Sequence, residues 1–153
     1  MAETHPLLET WQISSRITLY LLDAILPAAL ADQLAPRAWT VGRHFAHLHE
    51  NRLRWAQPYK TLNITSTRFE GNTEDRDQLR AALTTSAEVI ERLLEIAIER
   101  DKVQGFKRTV TAFTGYLVAH EAYHHGEIGV ILAQNGHRLD KDIAWGIWEW
   151  DKR

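Results

Sequence analysis

The sequence predicts an all-α fold, a four-helix bundle with a tryptophan-rich C-terminal tail. Four long segments carry apolar side chains at the 3.6-residue spacing of amphipathic helices, and none shows the alternation of a half-buried strand. The chain has 153 residues, of which 44% are hydrophobic and 25% charged. This length and composition suit one globular core, so we expect a single domain over residues 1–153.

The first two predicted helices cover residues of about 6–31 and 39–56. The first has an apolar stripe interrupted in its middle by small polar residues, Ser15 and Thr18. Pro27 should kink or end its regular part, because proline removes a backbone donor and crowds the preceding turn. The second helix carries its apolar residues on one face and should end before Pro58.

The second half of the chain follows the same plan after an irregular connection. Residues 57–73 show no helical period, and we interpret so long a connection as a lid or substrate-selecting loop. Helices are expected at about 74–101 and 108–135, the last closed by Gly136, which suits a left-handed cap. The tail, 142–153, holds three of the six tryptophans and should pack across one end of the domain or against a second subunit.

Composition excludes several classes of function. The chain has no cysteine, so it can form no disulfide, thiolate metal site or cysteine nucleophile. Its net charge of −2 provides no basic surplus for a dedicated nucleic-acid partner. It shows neither a signal-peptide pattern nor an apolar run long enough for a membrane span, so we expect a cytoplasmic protein with no membrane partner.

Histidines interrupt the inner face of the last helix. One arc of about 100° on the helical wheel holds Phe113, Leu117, His120, His124, Glu127, Ile128 and Ile131. His120 and His124 are four residues apart and point the same way, so they can present two nitrogens to one metal ion. Buried imidazoles without partners are costly, and a shared cation removes much of that cost.

Three further polar residues of this helix need an interpretation. Glu127, one turn beyond His124 on the inner arc, is our candidate catalytic residue, which could orient an imidazole N–H or shuttle a proton. His125 lies off the arc, so we expect it to be exposed or to support a ligand from behind. Glu121, at the edge of the arc, is expected to be solvated.

A third ligand should come from another helix, and the second helix offers His44, His47 and His49. Its apolar stripe contains Val41, Phe45, Leu48 and Trp55. On the wheel His44 lies nearest this stripe, which favours it weakly. Spacing alone does not settle the choice.

The segments "WTVGRHFAHL" and "HEAYHHGEI", followed by a tryptophan-rich tail, resemble the DinB/YfiT-like metalloprotein superfamily over most of the chain. The resemblance implies a ligand eight residues after Trp39, which is His47, together with His120 and His124. His44 and His49 are then expected to be solvated or at the helix edge. Where the family usually has Arg-Gly-Gln, this chain has His-Gly-Glu, so Glu127 could be a fourth ligand, a base or a support behind a ligand.

Three imidazoles on a divalent ion would leave one coordination position open for water or for a thiol sulfur. Members of the family that this sequence resembles include transferases that use low-molecular-weight thiols such as bacillithiol, and mycothiol-dependent isomerases. The resemblance therefore implies a metal-dependent enzyme of the thiol-transferase-like type. The alternatives are a non-catalytic metal-binding bundle or assembly module, and a metal-dependent hydrolase. Zinc, nickel, manganese and iron all suit imidazole, and the sequence does not choose among them.

The expected partners are a small-molecule substrate, which the resemblance implies to be a low-molecular-weight thiol, and a second copy of the chain. Relatives implied by the resemblance are commonly dimers, so we expect a homodimer through the first and third helices. A di-iron centre fits less well, because the inner stripes of those two helices supply no carboxylates.

Overall fold

The computed structural model describes residues 3–153, which contain α-helices and 3₁₀ turns and no strand. Four long helices confirm the predicted all-α, four-helix architecture. The α-helices are α1 (Pro6–Ala24), α2 (Val41–Ala56), α3 (Arg76–Arg100), α4 (Val110–Gln134) and the short α5 (Lys141–Gly146). The 3₁₀ turns are Pro27–Ala31, Lys60–Leu62 and Trp150–Lys152.

Local chemistry sets most of the helix ends. The side chains of Thr40, Asp75 and Thr109 accept hydrogen bonds from backbone N–H groups in the first turns of α2, α3 and α4. Pro27 opens the 3₁₀ turn that follows the end of α1, as its fixed φ favours. Gly136 has φ of 78° just after α4, the left-handed conformation that the sequence predicts there.

The bundle has a polar layer between two apolar clusters. Helices α1 and α2 each pack against both α3 and α4. In the bundle α1 is therefore diagonally opposite α2, and α3 is diagonally opposite α4. One apolar cluster is built around Trp11, Ile90 and Phe113, the other around Phe45 and Ile131. Between them lie buried polar side chains: Ser14, Ser15, Thr18, His44, His49, Arg52, Ser86, Thr114, Glu121 and His124. Of the predicted metal ligands, His124 belongs to this layer, and the half-buried His47 and His120 lie against it.

The connection between α2 and α3 is held against the start of α2. A Cβ on Gly42 would lie 1.7 Å from the carbonyl oxygen of Thr73, so only glycine permits this close approach. Further along, the carboxylate of Glu50 accepts a hydrogen bond from the Phe69 backbone N–H at 3.1 Å. The irregular 57–73 segment is therefore anchored beside the polar layer.

The C-terminal tail packs along the side of α1 in the same chain. Gly146 lies so close to Tyr20 that a Cβ there would meet the phenol ring. The Arg153 guanidinium lies over the same ring, 3.9 Å from its centroid. Trp145 and Trp148 remain exposed, at 62% and 72%. Among residues 3–153, no helix is both long and apolar enough to cross a membrane.

Candidate metal centre

Three imidazoles from two helices converge in the polar layer. His120 and His124 come from successive turns of α4, and His47 faces them from α2. Each offers a nitrogen within 4.8 Å of the nitrogens of the other two. The ring centroids of His124 lie 4.7 Å from those of both His47 and His120. The three side chains could therefore hold one metal ion.

The spacing of the nitrogens agrees with shared ligation. The Nε2 atoms of His47 and His120 are 3.2 Å apart. Two nitrogens bound about 2.05 Å from one zinc ion at a tetrahedral angle would be separated by about 3.3 Å. The pair thus has the separation that two ligands of one ion need.

His120 and His124 each contact a further side chain through the nitrogen opposite the cluster. The amide of Asn51 lies 3.3 Å from His120 Nδ1, and His44 Nδ1 lies 2.9 Å from His124 Nδ1. His44 is only 6% exposed. Because these contacts occupy Nδ1 of His120 and of His124, the ring atom that each can direct to a shared ion is Nε2.

The environment keeps the imidazoles neutral. Burial, together with the neighbouring His120, lowers the pKa of His47 from its usual 6.5 to about 4. Burial and the three surrounding imidazoles lower the pKa of His124 to about 3. Burial also lowers the pKa of His44 and His120. At neutral pH the lone pairs are therefore free to bind a metal without first losing a proton.

Aromatic side chains flank the cluster. The ring of Trp39 lies 4.9 Å from that of His47 and stacks at 6.3 Å over His124. Tyr116 stacks on His120 and Tyr123 meets His124 edge-on. His47 and His120 are half-buried, so the cluster is reached from the surface. A cavity of about 640 Å³ between α4 and the tail includes none of these histidines among its lining residues.

A second polar cluster adjoins the first. The guanidinium of Arg52 pairs with both carboxylate oxygens of Glu121, at 3.0 and 2.8 Å, and the two side chains are 1% and 2% exposed. Thr18 donates to Glu121 at 2.6 Å and lies 2.8 Å from Nε2 of His125. The expectation that Glu121 is solvated is wrong: it is the buried counter-ion of Arg52.

The sequence contains a signal for this pair. On α2, Arg52 falls on the same helical stripe as Phe45 and Leu48, and on α4 Glu121 lies between Leu117 and Ile128. A charge within an apolar stripe needs an opposite charge from a neighbouring helix. The two stripes therefore indicate that each helix buries a charge that needs a partner, although they do not say which residue the partner is.

The other polar residues differ from the predictions in instructive ways. His44 and His49 are buried, not solvated, and His49 lies 2.9 Å from the Ala82 carbonyl, away from the cluster. His125 is half-buried against Thr18 rather than exposed.

Glu50 and Glu127 remain outside the converging nitrogens. Glu50 does not reach His47; it pairs with Arg43 at 2.8 Å. Glu127 is half-buried and is not part of the group of converging ligand atoms, although its charge acts on His44.

The fold and the site together define a class, a helical-bundle protein with a three-histidine cluster that could bind a metal. The chain belongs to the DinB family, whose model matches residues 1–142. It is also similar in fold to a DinB-like protein from Bacillus cereus of known crystal structure, with a TM-score of 0.62 and 19% sequence identity. That similarity covers 88% of this chain and 93% of the Bacillus chain. No curated protein matches this sequence.

Proposed function

We propose that the chain is a cytoplasmic, metal-dependent enzyme of the thiol-transferase-like type, with one divalent ion held by His47, His120 and His124. The observation that carries the proposal is the convergence of three neutral imidazoles from two helices on one point. Glu127 stands outside that convergence, which supports a coordination position left open for a visiting donor atom.

The donor set fits a divalent ion better than it fits an ordinary buried network. Two Nε2 atoms 3.2 Å apart can form a hydrogen bond only if one of them carries the ring proton, whereas a cation uses both lone pairs. Zinc, nickel, manganese and iron(II) all bind imidazole. Because the chain has no cysteine, no thiolate can bind the ion, and the three proposed ligand atoms are all nitrogens.

A bound divalent ion would supply Lewis acidity, lowering the pKa of a thiol or water that enters the open position. The protein side chains provide the rest. Glu127 receives the thiol proton, while Trp39 and Tyr123 flank the cluster where a substrate would approach. The sulfur then forms a bond to an electrophilic carbon of the second substrate, and the leaving group departs with its bonding electron pair.

The test is turnover of a low-molecular-weight thiol with an activated aryl halide, measured with protein reconstituted with each candidate metal. Wild type should turn over only when metal-loaded, and His120→Ala should be inactive. Glu127→Gln should keep its metal but lose about 100-fold or more of the rate, the usual contribution of a proton acceptor. Absence of thiol transfer with every metal would contradict the proposal, and metal-dependent ester hydrolysis in its place would favour the hydrolase alternative.

A second candidate, a non-catalytic metal-binding bundle or assembly module, is favoured by one observation. The cavity of about 640 Å³ between α4 and the tail has none of the three histidines in its lining. In this case a fourth protein ligand, for which Glu127 is the nearest candidate along α4, would close the coordination sphere. Metal would then stabilise the fold, and no thiol would bind to it.

We also propose that the protein forms a homodimer. Its support is exposed apolar surface: among residues 3–153, α4, the tail and the connection before α2 carry exposed large hydrophobic side chains, and α1 and α3 carry none. Tyr123 and Val130 on one face of α4 are 63% and 54% exposed, and Trp148 is 72% exposed. Sedimentation equilibrium at micromolar concentration should give twice the subunit mass, and a Tyr123→Lys/Val130→Lys variant should give the single mass.

A further inference from the structure

His44 belongs to the polar layer and contacts the histidine cluster, but the proposed function gives it no role. It lies on α2, one turn before His47, and is 6% exposed. Its Nδ1 atom approaches Nδ1 of His124 to 2.9 Å, the shortest contact made by any member of the cluster with another side chain. The edge of Trp39 packs against its ring, with centroids 5.4 Å apart.

The contact constrains the protonation of both rings. Two nitrogens at hydrogen-bond distance require one N–H donor and one lone pair. If His124 carries its proton on Nδ1 and donates it to His44, Nε2 of His124 is a free lone pair directed at the cluster. His44 must then carry its own proton on Nε2, and burial keeps it neutral by lowering its pKa.

The opposite arrangement would be unproductive. If His44 donated, His124 would hold its proton on Nε2, the atom that a metal needs. Histidine ligands in proteins usually donate their other ring N–H to an acceptor, which fixes the ring orientation and the tautomer.

Asn51 provides a parallel for the other α4 histidine. Its amide lies 3.3 Å from His120 Nδ1, and turning the amide over would place its oxygen there as an acceptor. His44, His47 and Asn51 are spaced three and four residues apart, so all three lie on one face of α2. One helix face thus contains both a candidate ligand and the partners of the two ligands opposite.

We propose that His44 is a positioning residue for the metal centre: its Nδ1 accepts the Nδ1–H of His124 and thereby holds the Nε2 lone pair of His124 toward the ion. This inference rests on the proposed function for the existence of the ion. It adds a specific role for a residue that is not itself a ligand.

The test compares zinc affinities of the full-length apo-protein by competition with a chromophoric chelator. His44→Phe keeps a ring but removes the acceptor, and should weaken zinc binding by about 10- to 100-fold, as loss of such outer partners does. His44→Asn places an amide oxygen near the position of Nδ1 and should restore affinity to within about threefold of wild type. His49→Phe, the same change at a buried α2 histidine away from the cluster, should leave zinc affinity unchanged.

Two further readouts separate positioning from simple packing. The cobalt(II)-loaded His44→Phe protein should show a visible absorption band shifted from that of wild type, while His49→Phe should not. In zinc-loaded wild type, ¹⁵N NMR of the imidazoles should find His124 protonated on Nδ1 and His44 on Nε2. This measurement needs no variant, so it decides the question even if His44→Phe does not fold.

Three outcomes would overturn the inference. They are equal zinc affinity in wild type and His44→Phe, failure of His44→Asn to recover affinity, or a proton on Nε2 of His124 in the zinc-loaded protein. A wild-type protein that binds no metal would overturn the proposed function as well, so the two failures are distinguishable.

Discussion

Two buried polar clusters lie side by side in this bundle, and they use adjacent residues of the same helix. His120 and His124 of α4 face the histidine cluster, while Glu121 and His125 face Arg52 and Thr18. In the second cluster each charge meets an opposite charge or a complementary donor. In the first, like groups meet like groups, nitrogen against nitrogen.

This difference separates a structural polar cluster from a candidate functional one. Burial alone does not distinguish them, because both contain side chains less than 10% exposed. What differs is the charge balance: the Arg52–Glu121 pair is balanced within the chain, whereas the recorded side-chain contacts of the three converging histidines in residues 3–153 are with imidazoles and an amide and include no ion pair. The following predictions test that contrast.

The largest expected effect is on stability, at the balanced cluster. Arg52→Met should lower the free energy of unfolding by about 3–5 kcal/mol, because it leaves the Glu121 carboxylate buried without a counter-ion. The double variant Arg52→Met/Glu121→Met should recover much of this loss. Urea unfolding of the apo-proteins measures both.

The matched control for this change is the more exposed ion pair of Arg43 with Glu50. The Arg43 side chain is 35% exposed, so Arg43→Met should cost less than about 1 kcal/mol. An Arg52→Met variant as stable as Arg43→Met would show that the buried pair is not the structural element described above.

At the histidine cluster the expected effect appears only when metal is present. Saturating wild type with zinc at about 100 times its dissociation constant should stabilise it by about 2.7 kcal/mol. His120→Ala should abolish this gain, since it removes one of the three converging nitrogens. Thermal unfolding with and without zinc measures the gain, and His49→Ala is the control that should retain it.

The two clusters should also respond to pH in different ranges. Unfolded histidines take up protons near pH 6.5, whereas the pKa values of folded His47 and His124 are about 4 and 3. The unfolded state therefore binds more protons between these values, and the apo-protein should lose stability steadily as pH falls from about 6.5 toward 4.

Glu121 changes stability in the same direction but at lower pH. Although burial opposes ionisation, the Arg52 guanidinium holds the pKa of the Glu121 carboxyl below its usual value. Its contribution to stability is therefore present above pH 4.5 and is lost only as pH falls through the lowered pKa. Stability of apo His124→Gln should decline less steeply than wild type between pH 6.5 and 5; an identical slope would refute the assignment of that range to the histidines.

The features that the sequence predicts correctly are those that depend on local patterns in the chain. The four long helices follow from hydrophobic period and from caps such as Thr109, which act within a few residues. His120 and His124 share a face for the same reason. These features depend on neighbours in the chain, and the structure agrees with them.

What the sequence leaves open depends on how α2 and α4 are aligned. The helical wheel favours His44 and the family resemblance favours His47, because spacing within α2 says nothing about which turn lies opposite His124. In the structure His47 joins the converging nitrogens and His44 packs behind His124. The Arg52–Glu121 pair was missed for the same reason, since its partners meet only across the bundle.

The most direct test of the central claim is X-ray absorption at the metal edge of the zinc-loaded protein, with the zinc content measured on the same sample. We predict one zinc per chain, three imidazole nitrogens at about 2.0–2.1 Å and one further light atom from water or an added thiol. In His47→Ala the count of imidazoles should fall or the zinc should be lost. The central claim would be contradicted by a wild-type sample that binds no zinc. It would also be contradicted by a zinc ion whose ligands are all protein atoms and do not include His47.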